Sequence, residues 1–196
     1  LDKLKPGDYV FIQFGHNDEK PHADRHTDPG STFDANLERF VNETRAKGGI
    51  PVLFNSVARR CFYQAPVEND DDEKLRKTTF AGEEKINSNT LIDTHGAYVV
   101  APRNVARRLN VSFVDATKIT HDIETELGIE GSRKLHMWFR PGECPQIPKG
   151  RQDNTHYNVY GARLVANALA DEIGKQVPEL KKHVRHYDYV VSTRGR

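Results

Sequence analysis

Three short runs of β-branched and aromatic residues, "YVFIQF", "IPVLFNS" and "VSFVDA", alternate along the chain with stretches whose apolar residues recur at helical spacing. Near-continuously apolar strands suit burial on both faces, and their alternation with helices predicts a parallel sheet covered by helices on both sides. In such a sheet, binding and reacting groups gather at the C-terminal ends of the strands. The first run follows a "PGD" turn and leads into "FGHNDEKPH", so a strand that reads as buried ends in a histidine, an amide and several charges. That is either a surface turn or the delivery of polar groups to a reaction.

The helical stretches are read from their apolar stripes. Phe33, Leu37, Phe40 and Val41 place one over residues 32–47, closed by "KGG", and others follow over 95–110 and 117–127. The last, over 158–175, carries Val159, Leu164, Val165, Ala168, Leu169 and Ile173 and reads as a core-facing helix. Residues 62–94 break the order as a charged insertion over the working edge, with "ENDDDEKLRK" and "EEKINSNT". Its acidic residues 70–73 lack the alternating ligands and central glycine of a calcium loop and read as solvated. Residues 131–152 form a proline-interrupted segment of irregular character. Its Met137, Trp138 and Phe139 are either a plug over the core or a sugar-stacking surface. The final "HYDYVV" reads as a surface strand or arm.

At 196 residues and 36% hydrophobic content, the chain fits a single domain, residues 1–196, with 62–94 inserted into it. Twenty-nine basic and 28 acidic residues, interspersed, give a net charge of +1. This argues against a nucleic-acid partner, which needs a concentrated basic stripe. No apolar stretch approaches the ~18 residues of a membrane span, so no membrane association is expected. Cys61 and Cys144 lack the spacing of a zinc or dithiol motif, leaving a disulfide and two free thiols both open.

Candidate chemistry lies in "DNTHYNVYGA". Asp153 and His156, two residues between them, can meet on a turn that enters a helix. The carboxylate then holds one ring nitrogen while the other acts as a base. Helix capping by the same Asp, Asn and Thr residues is the structural alternative. Asn17 sits just beyond the first strand, where its amide can donate to a developing oxyanion, a contribution of ~2.7–4 kcal/mol in acyl transfer. The alternative there is an Asx turn closed by Asn17 or Asp18. A metal hydrolase built on His16, His22 and His26 is the weaker reading, because Pro21 and Pro29 bracket the segment and no H-E-x-x-H pattern occurs.

Together, "FGHND" and "DNTH" resemble two of the sequence blocks of the SGNH, or GDSL, hydrolases. "GDYVFIQFGHNDEKP", "GGIPVLFNSVARR", "DTHGAY", "MWFRPGECPQIPKGRQDNTHYNVYGA" and "HYDYVVSTRGR" look like the bacterial rhamnogalacturonan acetylesterase branch. The resemblance implies a flavodoxin-like three-layer α/β/α SGNH hydrolase fold and a serine esterase. Its substrate would be acetylated pectic polysaccharide or oligosaccharide, and it would work in a secreted or periplasmic setting. It implies Asn17 as oxyanion donor, His156 as general base and Asp153 as its orienting carboxylate. Neither a metal nor an organic cofactor is expected, and no oligomeric state is implied.

The sequence departs from the family in lacking the Gly-Asp-Ser block that carries the nucleophile, and no G-x-S-x-G elbow replaces it. The expectation is a fold truncated at its N-terminus, inactive alone, with the first strand left as an apolar sheet edge. The competing expectation is a carbohydrate-binding relative that has lost its nucleophile. Arg59, Arg60, Arg140, Lys149 and Arg151 are candidate rim cations for galacturonate carboxylates.

Overall fold

The computed structural model describes residues 2–64, 76–77, 79–82, 84 and 88–187. The three apolar runs form a parallel sheet in the order β1-β2-β4, from β1 (Tyr9–Gln13), β2 (Ile50–Phe54) and β4 (Ser112–Val114). Tyr9 lies opposite Ile50 and Val52 opposite Ser112, so all three strands end on one side of the molecule. There the ends are tied together. Asn55 accepts from the Gln13 amide through its carbonyl and donates its own amide to Asp115 Oδ1 at 2.8 Å.

Alternation of side chains along β2 splits the core in two. Leu53 packs with Ile12 and with Phe33, Leu37 and Val41 of α1 (Thr32–Ala46) and Val105 of α2 (Ala97–Leu109). Val52 and Phe54 face Val114, Ala116 and Val177, with Leu169 and Ile173 of α4 (Val159–Gln176) against them. The result is a helix–sheet–helix sandwich, the α/β layering that the strand and helix patterns predict. α3 (Ala116–Arg133) starts at Asp115, whose carboxylate accepts the Lys118 N–H, and kinks at Gly128, where φ is +64°. A six-residue 3₁₀ helix, Pro178–His183, follows α4.

Four sequence expectations change. β1 is not buried on both faces but is the apolar sheet edge also expected of it: among the described residues it pairs only with β2, and Phe11 is 51% exposed. Residues 131–152 are not irregular throughout. They contribute β5 (His136–Phe139) and the start of β6 (Arg151–Tyr157), and β3 (Arg76–Lys77) completes a second, antiparallel sheet in the order β3-β6-β5. The charged insertion therefore supplies a strand; its acidic residues 70–73 lie outside the described residues. Val159 leaves the α4 stripe and is 69% exposed at the first helical position.

Neither cysteine is joined in a disulfide among the described residues, with Cys61 buried and Cys144 half-buried. In the tail, the backbone N–H and C=O of Tyr187 bond the Asn167 side chain on α4, His186 Nε2 lies 2.8 Å from Asp171 Oδ1, and residues 188–191 of "HYDYVV" lie outside the described residues. Among the described residues no helix is long and apolar enough to cross a membrane.

Candidate active site

Beyond β1 the chain turns sharply at Gly15, whose φ of +132° suits glycine, and whose missing Cβ leaves room for the Ser56 hydroxyl. Asp18 closes the turn that follows. Its carboxylate accepts the Gly15 N–H at 3.0 Å and the Thr27 hydroxyl at 2.9 Å. The Asx-type role thus falls to Asp18, and the neighbouring Asn17 side chain is left exposed, with its amide in no hydrogen bond among the described residues.

The second wall comes from β6, which is a bulged strand where a turn entering a helix is predicted. Met137 pairs with Asp153 but His136 pairs with Tyr157, so residues 154–156 loop out of the ladder. The buried Asp153 carboxylate holds that loop. Oδ1 accepts the N–H groups of Thr155 and His156, both at 2.9 Å, and Oδ2 lies 2.9 Å from His156 Nδ1. Since a carboxylate only accepts, the proton of a neutral imidazole sits on Nδ1, and Nε2 keeps a lone pair. The imidazole side chain is 49% exposed, so that lone pair belongs to a ring open to the cleft.

These walls meet. An open cleft of about 360 Å³ is bordered by Gly15, His16, Asn17, Ser56, Thr155 and His156. It brings together the amide from the end of β1 and the imidazole from the bulge in β6, which are 139 positions apart in the numbering (156 − 17). A donor, a base and an orienting carboxylate in one cleft can manage proton transfer and oxyanion stabilisation in acyl transfer. Ser56 shares the cleft, yet its hydroxyl points to the Phe14 carbonyl and makes no hydrogen bond to His156. A larger cavity of about 570 Å³ opens beside Phe80, Trp138 and Arg140, away from Asn17 and His156.

Residues 1–164 match the GDSL-like Lipase/Acylhydrolase family. The chain belongs to that family. It is 35% identical over 183 residues to rhamnogalacturonan acetylesterase RhgT of Bacillus subtilis (strain 168), covering 93% of this chain and 68% of that protein. The probable rhamnogalacturonan acetylesterase YesY of the same organism is 28% identical, over 92% of this chain and 66% of its own length. The chain thus spans about two thirds of these relatives. Among solved structures, protein YxiM of Bacillus subtilis superposes with a TM-score of 0.59 at 19% identity, over 89% of this chain and 39% of the other, a likeness of fold.

Other site expectations are revised by burial. Arg59 and Arg60 are not rim cations. Their side chains are 3% and 1% exposed and pair with Glu19 and Glu84. Trp138 donates to Asn154 Oδ1 at 2.8 Å, the guanidiniums of Arg133 and Arg60 lie 4.9 and 5.8 Å from its ring centre, and the half-buried ring borders the cavity of about 570 Å³. His16, His22 and His26 form no cluster: His26 bonds the Lys20 carbonyl and Asp28. The cation-sized cluster is instead His16, Glu19 and His95, where the Arg59 guanidinium already bonds both His16 and Glu19. The sequence reading missed Glu19, His95, Glu84 and Asn154, all polar residues whose partners lie far along the chain.

Proposed function

We propose that the protein is a carbohydrate acetylesterase that removes acetyl groups from rhamnogalacturonan-type pectic polysaccharide outside the cytoplasm. The observation that carries this reading is the cleft shared by the Asn17 amide and the Asp153-oriented His156. The names of the relatives supply the substrate class.

In the proposed reaction, His156 Nε2 takes the proton of a serine hydroxyl as that oxygen attacks the acetyl carbonyl. Negative charge grows on the carbonyl oxygen, where the Asn17 N–H donates. The protonated imidazole, steadied by Asp153, then gives its proton to the sugar oxygen as the ester bond breaks. Water repeats the sequence on the acetyl-enzyme, releasing acetate. Arg140, Lys149 and Arg151 carry no ion pair among the described residues and remain candidates for galacturonate carboxylates.

The test is acetate release from acetylated rhamnogalacturonan oligosaccharides by the protein as its own gene encodes it, with fluorophosphonate labelling and peptide mapping to locate the nucleophilic serine. His156→Ala is expected to lower kcat by ~10⁴-fold. Oligosaccharide binding without acetate release or labelling would instead make the protein a binding relative and overturn the esterase reading.

A further inference from the structure

Directly behind the Asn17 turn lies a charged cluster that the proposed reaction does not use. Glu19 is fully buried, and its carboxylate bonds the Arg59 guanidinium through Oε1 and lies 2.9 Å from His95 Nδ1 through Oε2. Arg59 also donates to Thr94 Oγ1 at 3.1 Å and to His16 Nδ1 at 3.2 Å. His95 donates from Nε2 to the Val57 carbonyl at 3.0 Å. Three chain segments therefore converge: the turn after β1, the loop after β2 and the approach to α2.

Burying a carboxylate, a guanidinium and an imidazole costs several kcal/mol per ion unless each is tightly paired, so hydrophobic packing would hold this spot at least as firmly. What ionic pairing adds is direction. Arg59 grips the residue before Asn17 and the residue two after it, fixing the backbone on both sides of the amide. The turn itself is closed by Glu19 N–H to the Gly15 carbonyl at 3.1 Å and Lys20 N–H to the Asn17 carbonyl at 3.2 Å. Asn17's own side chain has no bond among the described residues that could hold it, so its pose follows from its neighbours. A metal does not fit the same cluster, because Arg59 stands between the would-be ligands.

We propose that Arg59, Glu19 and His95 form a positioning unit that holds the Asn17 amide in its oxyanion-donor pose. The proposal rests on the esterase reading above. Displacing a reacting group by about 1 Å can cost ~10²-fold in rate, so loosening this unit is expressed in kcat and leaves ground-state binding intact.

A double-mutant cycle tests it in the protein as its own gene encodes it. Glu19→Gln is expected to lower kcat ~10- to 100-fold with KM within about 2-fold. Asn17→Ala is expected to lower kcat ~10²- to 10³-fold. In the Asn17→Ala background, adding Glu19→Gln should cost less than about 2-fold, since the group being positioned is already gone. Losses that multiply would overturn the positioning role alone. An Asn17→Ala variant with normal kcat would sink the donor assignment and this proposal with it.

Hydrogen exchange gives a readout independent of turnover. In Glu19→Gln the backbone amides at positions 19 and 20 should exchange ~10-fold faster while those of β2 keep their protection. Unchanged exchange at both would also refute the idea. Should Glu19→Gln fail to fold, Arg59→Lys retains the charge but not the fork that reaches Thr94, Glu19 and His16 at once, and the same exchange pattern is expected.

Discussion

The wall of the cleft that carries Asn17 hangs from parallel strands whose inward residues are apolar, such as Ile12, Val52, Leu53 and Val114, each at most 5% exposed. The wall that carries His156 is a strand whose buried residues are Gln152, Asp153, Asn154 and Thr155. Burial of hydrocarbon holds the strands of the first wall and needs no particular partner; only the turn that bears Asn17 relies on the named bonds of Arg59, Glu19 and His95. The second depends on named hydrogen bonds, with Arg60 as their hub. That guanidinium donates to both Glu84 oxygens at 2.7 and 2.8 Å, to Asn154 Oδ1 at 2.8 Å, to Ser132 Oγ at 3.0 Å and to the Ile129 carbonyl at 2.8 Å. Apolar packing tolerates small displacements, whereas a polar ribbon fixes direction and fails when one member is lost. The moving proton of the proposed reaction is handled on the direction-fixed side.

The sharpest way to break this contrast is Arg60→Ala. It leaves the Glu84 carboxylate, among the described residues, with only the longer cation contact to Arg133 at 3.3 Å and takes a donor from Asn154, and breaking a buried pair of this kind costs ~3–5 kcal/mol. Denaturant unfolding should show a loss of that size, and exchange should rise first in β5 and β6. A loss under about 1 kcal/mol would mean that the antiparallel half is held by something other than this hub.

Gly161→Ala probes the seam between the halves and should have the next largest effect. A Cβ at Gly161 would overlap the Leu135 carbonyl, which itself accepts the Asn158 N–H at 2.9 Å just ahead of α4. Asn158 also donates to the Lys134 and His136 carbonyls, both at 2.8 Å, so α4 and β5 are locked at this point. Overpacking of about one methyl group typically costs ~1–3 kcal/mol. The expected result is that loss of stability together with a shifted His156 resonance in NMR. A variant as stable as the parent would show that this seam can relax.

The same contrast explains what was legible in the sequence. β1, β2 and β4 could be read because a strand that buries hydrocarbon must be written in hydrocarbon, and α1, α2 and α4 because one face of each does the same. β6 could not, since "RQDNTHY" has no apolar alternation and its burial rests on Arg60, Glu84 and Trp138. Asn17, Asp153 and His156 stood out as residue types placed beside strand and helix boundaries. Arg59 and Arg60 misled for the opposite reason: tandem cations look solvated, and their carboxylates come from 40 and 24 positions away. Local pattern carries no information about such pairings. The residues that meet in the cleft were legible, and the supports behind them were not.

The smallest expected effect concerns acid, and it compares one carboxylate from each half. Burial pushes the Glu84 carboxyl up, but the hydrogen bond and charge of Arg60, the bond from Asn154 and the charge of Arg133 outweigh it and hold it below the usual range. At the ends of the parallel strands burial likewise pushes Asp115 up. Its bonds from Asn55, the Lys118 N–H and Arg103 outweigh this and lower it. Each group gives up its proton more readily folded than unfolded. The stability it contributes is therefore full above the ordinary carboxylate range and is lost as pH falls through the folded-state value. Glu84→Gln should flatten part of the decline in unfolding free energy on acidification, leaving the share that belongs to Asp115. Exchange at low pH should then rise at the α3 N-terminus while the difference between variant and parent is confined to β5 and β6. A decline equally steep in both proteins would place the acid-sensitive contacts in the parallel half alone, and the division of labour between the two walls would have to be redrawn.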